Sequence, residues 1–203
     1  MAVNTADQRI QPRVASTPAV GLWLLLTSVI GGAASLLLLN ERIKLWQDAD
    51  YTTACDINPW VSCGLVMDSW QASTFGFPNI FLGVIGFPLA ILVAVTILAR
   101  VQLPAWYWIG LQAGVTFAFA FCIWLWSQAV YSIGALCPYC MVVWAAVIPM
   151  FVIVTTRNIS TGVIPVGEGL RKFTGDWWWV AIVLIYLAVL GSIIVQFPNA
   201  FIS

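Results

Sequence analysis

The chain is 203 residues long, 62% hydrophobic and only 8% charged, with a formal net charge of zero. An ordinary soluble domain, in which about 25% of residues are charged, is excluded, and no basic field exists for nucleic acid. There is no histidine at all, which removes the usual general base and the commonest metal and haem ligand and leaves cysteine as the side chain able to carry electrons.

In chain order, residues 1–19 form a polar tail with Arg9, Arg13, Pro12 and Pro18. A helix needs about 20 apolar residues to cross a bilayer core. Five stretches qualify, roughly 20–39, 79–99, 105–128, 136–156 and 177–197. The first contains Ala33-Ala34-Ser35 but outlasts a signal-peptide core and runs on into Leu36 to Leu39 without a clear cleavage site, so it reads as a retained span. Pro88 and Pro149 fall inside spans, where kinks are tolerable because neighbouring helices or local adjustments satisfy the freed carbonyls. Ser127, Ser132 and Gly134 mark a turn at 128–136. The expected fold is an all-α integral membrane protein with five transmembrane helices. A loop at 157–176 precedes the last helix, and 177–203 holds that helix and a short tail.

Lys and Arg set the orientation. With the N-terminus inside, the cytoplasmic segments hold Arg9, Arg13, Arg100, Arg157, Arg171 and Lys172, against Arg42 and Lys44 outside, a split of six to two. Trp106, Tyr107, Trp108 and Trp177, Trp178, Trp179 then lie at the inner interface, as aromatic belts do. Residues 40–78 become an extracytoplasmic loop carrying Cys55 and Cys63, and Cys137 and Cys140 open the fourth span from the same side, in a compartment where disulfides persist. Cys122, within the third span, reads as a small buried hydrophobe.

The loop is long for a connection. Trp60, Val61, Leu65, Val66, Trp70, Phe75 and Phe77 give it an apolar surface suited to lying on the bundle as a lid. Val61 to Trp70 suits a short helix with Cys63 on one face.

Cys137-Pro138-Tyr139-Cys140 is a CxxC at a helix start. Pro138 suits the first helical position, where a missing N–H costs nothing. The free N–H groups and helix dipole favour a thiolate, the attacking species in disulfide exchange. Cys140, one turn deeper, is placed to resolve a mixed disulfide. Three uses stay open for the four cysteines: redox exchange, structural disulfides, or an all-thiolate metal site.

These residues resemble the bacterial homologues of vitamin K epoxide reductase. The shared pattern is Cys55-Asp56 with Ser62-Cys63, then Ser69, then Asn79-Ile80-Phe81-Leu82-Gly83 at the next helix start, then Cys137 to Cys140. It covers roughly residues 20–156. The other quinone-linked disulfide-forming family places its CxxC and its spaced pair in the reverse order. The resemblance implies a four-helix bundle around a quinone of menaquinone or ubiquinone type, with the loop as a partly helical lid. It implies a quinone-dependent thiol–disulfide oxidoreductase in a bacterial cell membrane, which reoxidises a thioredoxin-like disulfide-forming partner outside the cytoplasm. By position, Cys55 takes electrons from the partner, Cys63 passes them to Cys137, and Cys140 faces the quinone. Asn79 is implied as donor to a quinone carbonyl, and Ser69 as a residue holding the loop or the site. Trp144 stands where family members often carry a Tyr near the quinone's other carbonyl, and its indole donates but does not accept. Many bacterial members continue into a fused thioredoxin-like domain. Here the sequence stops at Ser203, so the partner is expected to be a separate protein, with the fifth span peripheral to the active bundle. The alternative is a metal-binding, all-cysteine membrane scaffold or transporter subunit.

Overall fold

A computed structural model describes residues 17–48 and 50–198. Arg9, Arg13 and the last five residues lie outside that range. Six helices follow in order: α1 (Thr17–Gln47), α2 (Cys63–Asp68), α3 (Ile80–Leu98), α4 (Ala105–Gln128), α5 (Pro138–Ser160) and α6 (Glu168–Gln196). All but α2 are long and apolar enough to cross a membrane. Among the described residues there are no strands, and only two isolated bridges involve Val61. The protein is an all-α, multi-pass membrane protein.

The packing follows from residue size. In lipid there is no hydrophobic force between helices, so close contact needs small side chains or polar links. α1 supplies the small ones. A Cβ on Gly31 would run into the Phe87 ring of α3, and Gly83 of α3 sits against Ser35. The backbones of α1 and α3 therefore approach closely, and this pair has the most extensive contact in the protein. α4 and α5 add polar links to apolar packing, in which the Phe119 and Phe151 rings stack 4.4 Å apart. Gln112 Nε2 donates to Thr155 Oγ1 at 2.9 Å, and Asn158 Nδ2 donates to Gln112 Oε1 at 3.0 Å. The Arg157 guanidinium lies 3.4 Å from the centre of the Trp108 ring. α5 is the most buried of the five long helices and packs against α1, α4 and α6. α3 and α4 hardly touch each other.

Several boundaries differ from those read in the sequence. α1 continues two turns beyond its apolar stretch, to Gln47. Those turns are held because Glu41, Arg42 and Lys44 all find partners in the following loop or helix turn. The expected turn at 128–136 is mostly helical. α4 widens into a π-turn over Ala129–Ile133, which ends at Gly134 with φ 72°, a conformation that favours glycine. α6 begins at Glu168, well before its apolar run, so most of the expected 157–176 loop is helix. The loop helix α2 covers Cys63–Asp68, and a single 3₁₀ turn follows at Trp70–Ser73.

Pro149 explains how α6 is attached. A proline in a helix cannot donate to the carbonyl four residues back, here that of Ala145. The Tyr186 hydroxyl of α6 donates to that carbonyl at 2.6 Å. Ile193 and Phe197, near the same helix end, are buried in a cluster with Trp144, Val130 and Leu136. Tyr186→Phe should lower unfolding free energy by about 1 kcal/mol, measured as a loss of stability in detergent. Tyr131→Phe, at a ring that is 61% exposed, should leave it unchanged.

Candidate functional site

Four cysteines converge where the loop meets the start of α5. Cys55 and Cys63 form a disulfide with a Cα–Cα separation of 5.6 Å. Cys137 and Cys140 are free thiols. Cys137 Sγ lies 3.3 Å from Cys63 Sγ, near contact distance, and both residues are buried. The two loop cysteines and Cys137 share one apolar cluster, with Cys140 packed against it.

Local backbone produces this approach. Gly134 turns the chain out of α4, and the short segment Ala135–Leu136 leads directly into Cys137. Leu136 N–H donates to Trp60 O at 2.8 Å, and Ser62 N–H donates to Leu136 O at 3.0 Å. The second bond ties the residue before Cys63 to the residue before Cys137, and the first anchors Leu136 to Trp60. Cys137 is the N-cap of α5, in extended conformation with Pro138 following, and the Cys140 N–H donates to its sulfur at 3.4 Å. The sulfur thus faces the unpaired N–H end of a long helix, where negative charge is favoured.

The loop is held at its other side by two carboxylates. Glu41, buried near the end of α1, accepts from Ala54 N–H at 2.8 Å, Tyr51 Oη at 3.0 Å and Lys44 Nζ at 3.0 Å. Asp56 Oδ1 accepts from Ser62 Oγ at 2.6 Å and Gly64 N–H at 3.0 Å, and its Oδ2 accepts from Thr53 N–H at 3.1 Å. Burial by itself would raise the Asp56 pKa, but the Ser62 hydroxyl, the Gly64 N–H and the Thr53 donors together outweigh it and hold the carboxyl below the ordinary carboxylate value. Asp56 is therefore ionised at neutral pH, a fixed acceptor with no proton to give. Asp68, at the end of α2, is exposed and pairs with Arg42 at 3.0 Å.

Beneath the cysteines lies a cavity of about 740 Å³ between α1, α3, α4 and α5, with an overwhelmingly apolar lining. Its loop end carries Cys137, Cys140, Ser69, Gln71, Asn79 and Trp144, and it extends along α3 and α4 as far as Val93, Tyr107 and Trp106. Since α3 and α4 hardly touch, the space between them lies on the side where lipid would be. Asn79 Nδ2 donates to Gln71 O at 2.6 Å, leaving one amide hydrogen, and its Oδ1 is buried without a partner. Ser69 closes α2, its Oγ donating to Val66 O at 2.7 Å, and also faces the cavity. Trp144 is buried on the cavity wall with α6 packed behind it. Cys122 lines the same wall among apolar residues.

All seven residues singled out from the sequence thus gather at one end of the bundle: four at the sulfur cluster and Ser69, Asn79 and Trp144 at the cavity. Glu41 and Gln71 belong to the site but were not singled out. A lone acid at the end of a membrane helix is the signal that marks Glu41. No comparable signal marks Gln71, whose role comes from its main-chain carbonyl. Among the described residues, no three or more His, Cys, Asp or Glu side chains are grouped to hold a metal ion, and two of the four clustered cysteines are already joined to each other.

The profile of the vitamin K epoxide reductase family matches residues 22–155, well over half the chain. No individual curated protein matches it. The match ends before α6 and includes every cysteine.

The sulfur geometry makes a direct prediction. Replacing Cys55 with Ser should free Cys63, and mild oxidation should then link Cys63 to Cys137 in most molecules, as read by peptide mass spectrometry. Cys122 should remain unlinked.

Proposed function

Because the chain belongs to the vitamin K epoxide reductase family, a family of membrane thiol oxidoreductases, we propose that it transfers electrons from an extracytoplasmic thioredoxin-like partner, a separate protein, to a quinone of menaquinone or ubiquinone type. The observation that carries this reading is the 3.3 Å approach of Cys137 Sγ to a sulfur already in a disulfide. At that distance, exchange needs little more than bond reorganisation.

A partner thiolate attacks Cys55 of the Cys55–Cys63 disulfide, and Cys63 leaves. The partner's second thiolate resolves the mixed disulfide, so the partner is oxidised and the loop holds two thiols. Cys63 attacks Cys137 of a Cys137–Cys140 disulfide, with Cys140 leaving. Cys55 then attacks Cys63 and re-forms the loop disulfide. The two electrons and two protons now rest on Cys137 and Cys140. That is the pairing seen in the structure, a closed loop disulfide beside two free thiols. The helix start favours Cys137 as thiolate whenever it leaves or attacks.

The cavity fits a quinone. Its volume lies within the range of small-molecule sites, its walls are apolar, and its loop end presents Cys140 together with a spare Asn79 amide hydrogen that can donate to a quinone carbonyl, while the unpartnered Asn79 Oδ1 can accept from a hydroquinone hydroxyl. Asn79 and Cys140 would hold the ring end, with Ser69 and Trp144 forming the wall. A quinone, when bound, supplies the two-electron, two-proton acceptor. No acid in the loop is needed to donate protons, since the dithiol itself carries both. In this reading the basic residues, six against two, put the N-terminus in the cytoplasm of a bacterial cell and the loop outside its inner membrane.

Purified protein in membranes with a short-chain quinone should oxidise a reduced thioredoxin-like protein. Replacing any of Cys55, Cys63, Cys137 or Cys140 with Ala should reduce turnover to background, and full turnover without Cys63 would sink the relay. Gly114 lines the cavity with open space before its Cβ position. Gly114→Leu should therefore raise KM for quinone about 10-fold or more while leaving exchange between loop and partner unchanged.

A further inference from the structure

The loop disulfide lies just beyond the open end of a small turn. Ile57 N–H donates to Val61 O at 2.9 Å and Val61 N–H donates to Asn58 O at 3.0 Å, closing residues 57–61 on themselves. The cysteines sit outside that closure, at 55 on one limb and 63 on the other. Glu41 holds the first limb to α1 through Ala54, and Leu136 holds the second to the start of α5 through Ser62. Neither contact joins the two limbs to each other at the level of the sulfurs.

Asp56 does. It follows Cys55 directly, and its Oδ1 accepts from Ser62 Oγ and Gly64 N–H, the residues on either side of Cys63. Its Oδ2 accepts from Thr53 N–H, and Asp56 N–H donates to Thr53 O at 3.0 Å, so its own limb is also fixed. Gly64 lets the carboxylate come close, since a Cβ there would stand 3.0 Å from Asp56 Oδ2. None of these links uses a cysteine sulfur, so none is itself broken when the disulfide opens.

We propose that Asp56 is a positioning residue whose carboxylate straps the two limbs together, so that Cys55 and Cys63 stay in register as thiols and close again rapidly. This deepens the relay reading above, in which the loop pair opens and re-forms in every cycle. A reduced pair held at disulfide spacing has a high effective concentration. The disulfide is then harder to reduce than it would be on slack chain.

The test is the equilibrium of the loop disulfide with two glutathione molecules, which gives two loop thiols and glutathione disulfide. It needs neither quinone nor partner, so its outcome is independent of whether turnover with quinone is found. The intact protein in detergent is equilibrated in glutathione buffers and alkylated, and the peptides carrying Cys55 and Cys63 are quantified separately from those carrying Cys137 and Cys140. Asp56→Ala should make the pair at least 10-fold easier to reduce, which corresponds to about 30 mV. Asp56→Asn, which keeps one acceptor oxygen for Ser62 and Gly64, should fall between that variant and the parent, and Ser62→Ala should shift the equilibrium several-fold in the same direction. If Asp56→Ala loses its helical content, the Asn and Ser62 variants carry the test on the same criterion. Equilibrium constants within twofold of the parent for the folded variants would overturn the proposal.

Discussion

Two backbone hydrogen bonds, from Leu136 N–H to Trp60 O and from Ser62 N–H to Leu136 O, are the constraint on which the site depends. They join a loop of the chain to the entrance of its most buried helix, with Leu136 one residue before Cys137 and Ser62 one residue before Cys63. Main-chain links are insensitive to side-chain identity and short enough to define the separation of the sulfurs beyond them. The loop side of this joint is supported by carboxylates on Glu41 and Asp56, and the helix side by the turn at Gly134. If the joint opened, Cys63 would lose its position opposite Cys137, whatever the intrinsic reactivity of either thiol.

The bundle below divides its packing by chemistry. The α1–α3 contact rests on small residues and brings backbones close, while α4 and α5 add amide and hydroxyl links to their apolar packing. α3 and α4 hardly touch, and the cavity occupies the gap between them. α5 meets both halves and carries Cys140 and Trp144 into the cavity wall, so it serves as both the scaffold and the reactive element.

Much of this was legible in the sequence because the signals are strong ones in a membrane setting. Apolar runs of spanning length located all five long helices, and Cys-Pro-Tyr-Cys after a short turn marked a helix start. The bias of Lys and Arg placed the loop pair and the CxxC on one side, and the family resemblance implied that Cys63 meets Cys137. Less legible were features that arise between segments. The last turns of α1 are too polar to read as a span, and they are helical because Glu41, Arg42 and Lys44 find partners nearby. Asp56 stands in the Cys55-Asp56 pattern, but the donors that meet its carboxylate, on Thr53, Ser62 and Gly64, come together only in the folded loop. The π-turn at Ala129–Ile133 leaves no mark in hydropathy. α6 was expected to stand aside from the bundle. It lines no part of the cavity, yet its end is packed behind Trp144.

Pro149 and Tyr186 bear on a general difficulty of helices in lipid. Two smooth apolar helices have many sliding and rotational arrangements of nearly equal energy, since leucine against leucine resembles leucine against lipid. A proline breaks that degeneracy by leaving one carbonyl in the helix unlike all the others. The Tyr186 hydroxyl has a single place to bind along α5, and moving α6 by one residue in either direction would miss it. Pro149 therefore acts as an index mark on α5. It sets the register of the neighbouring helix α6.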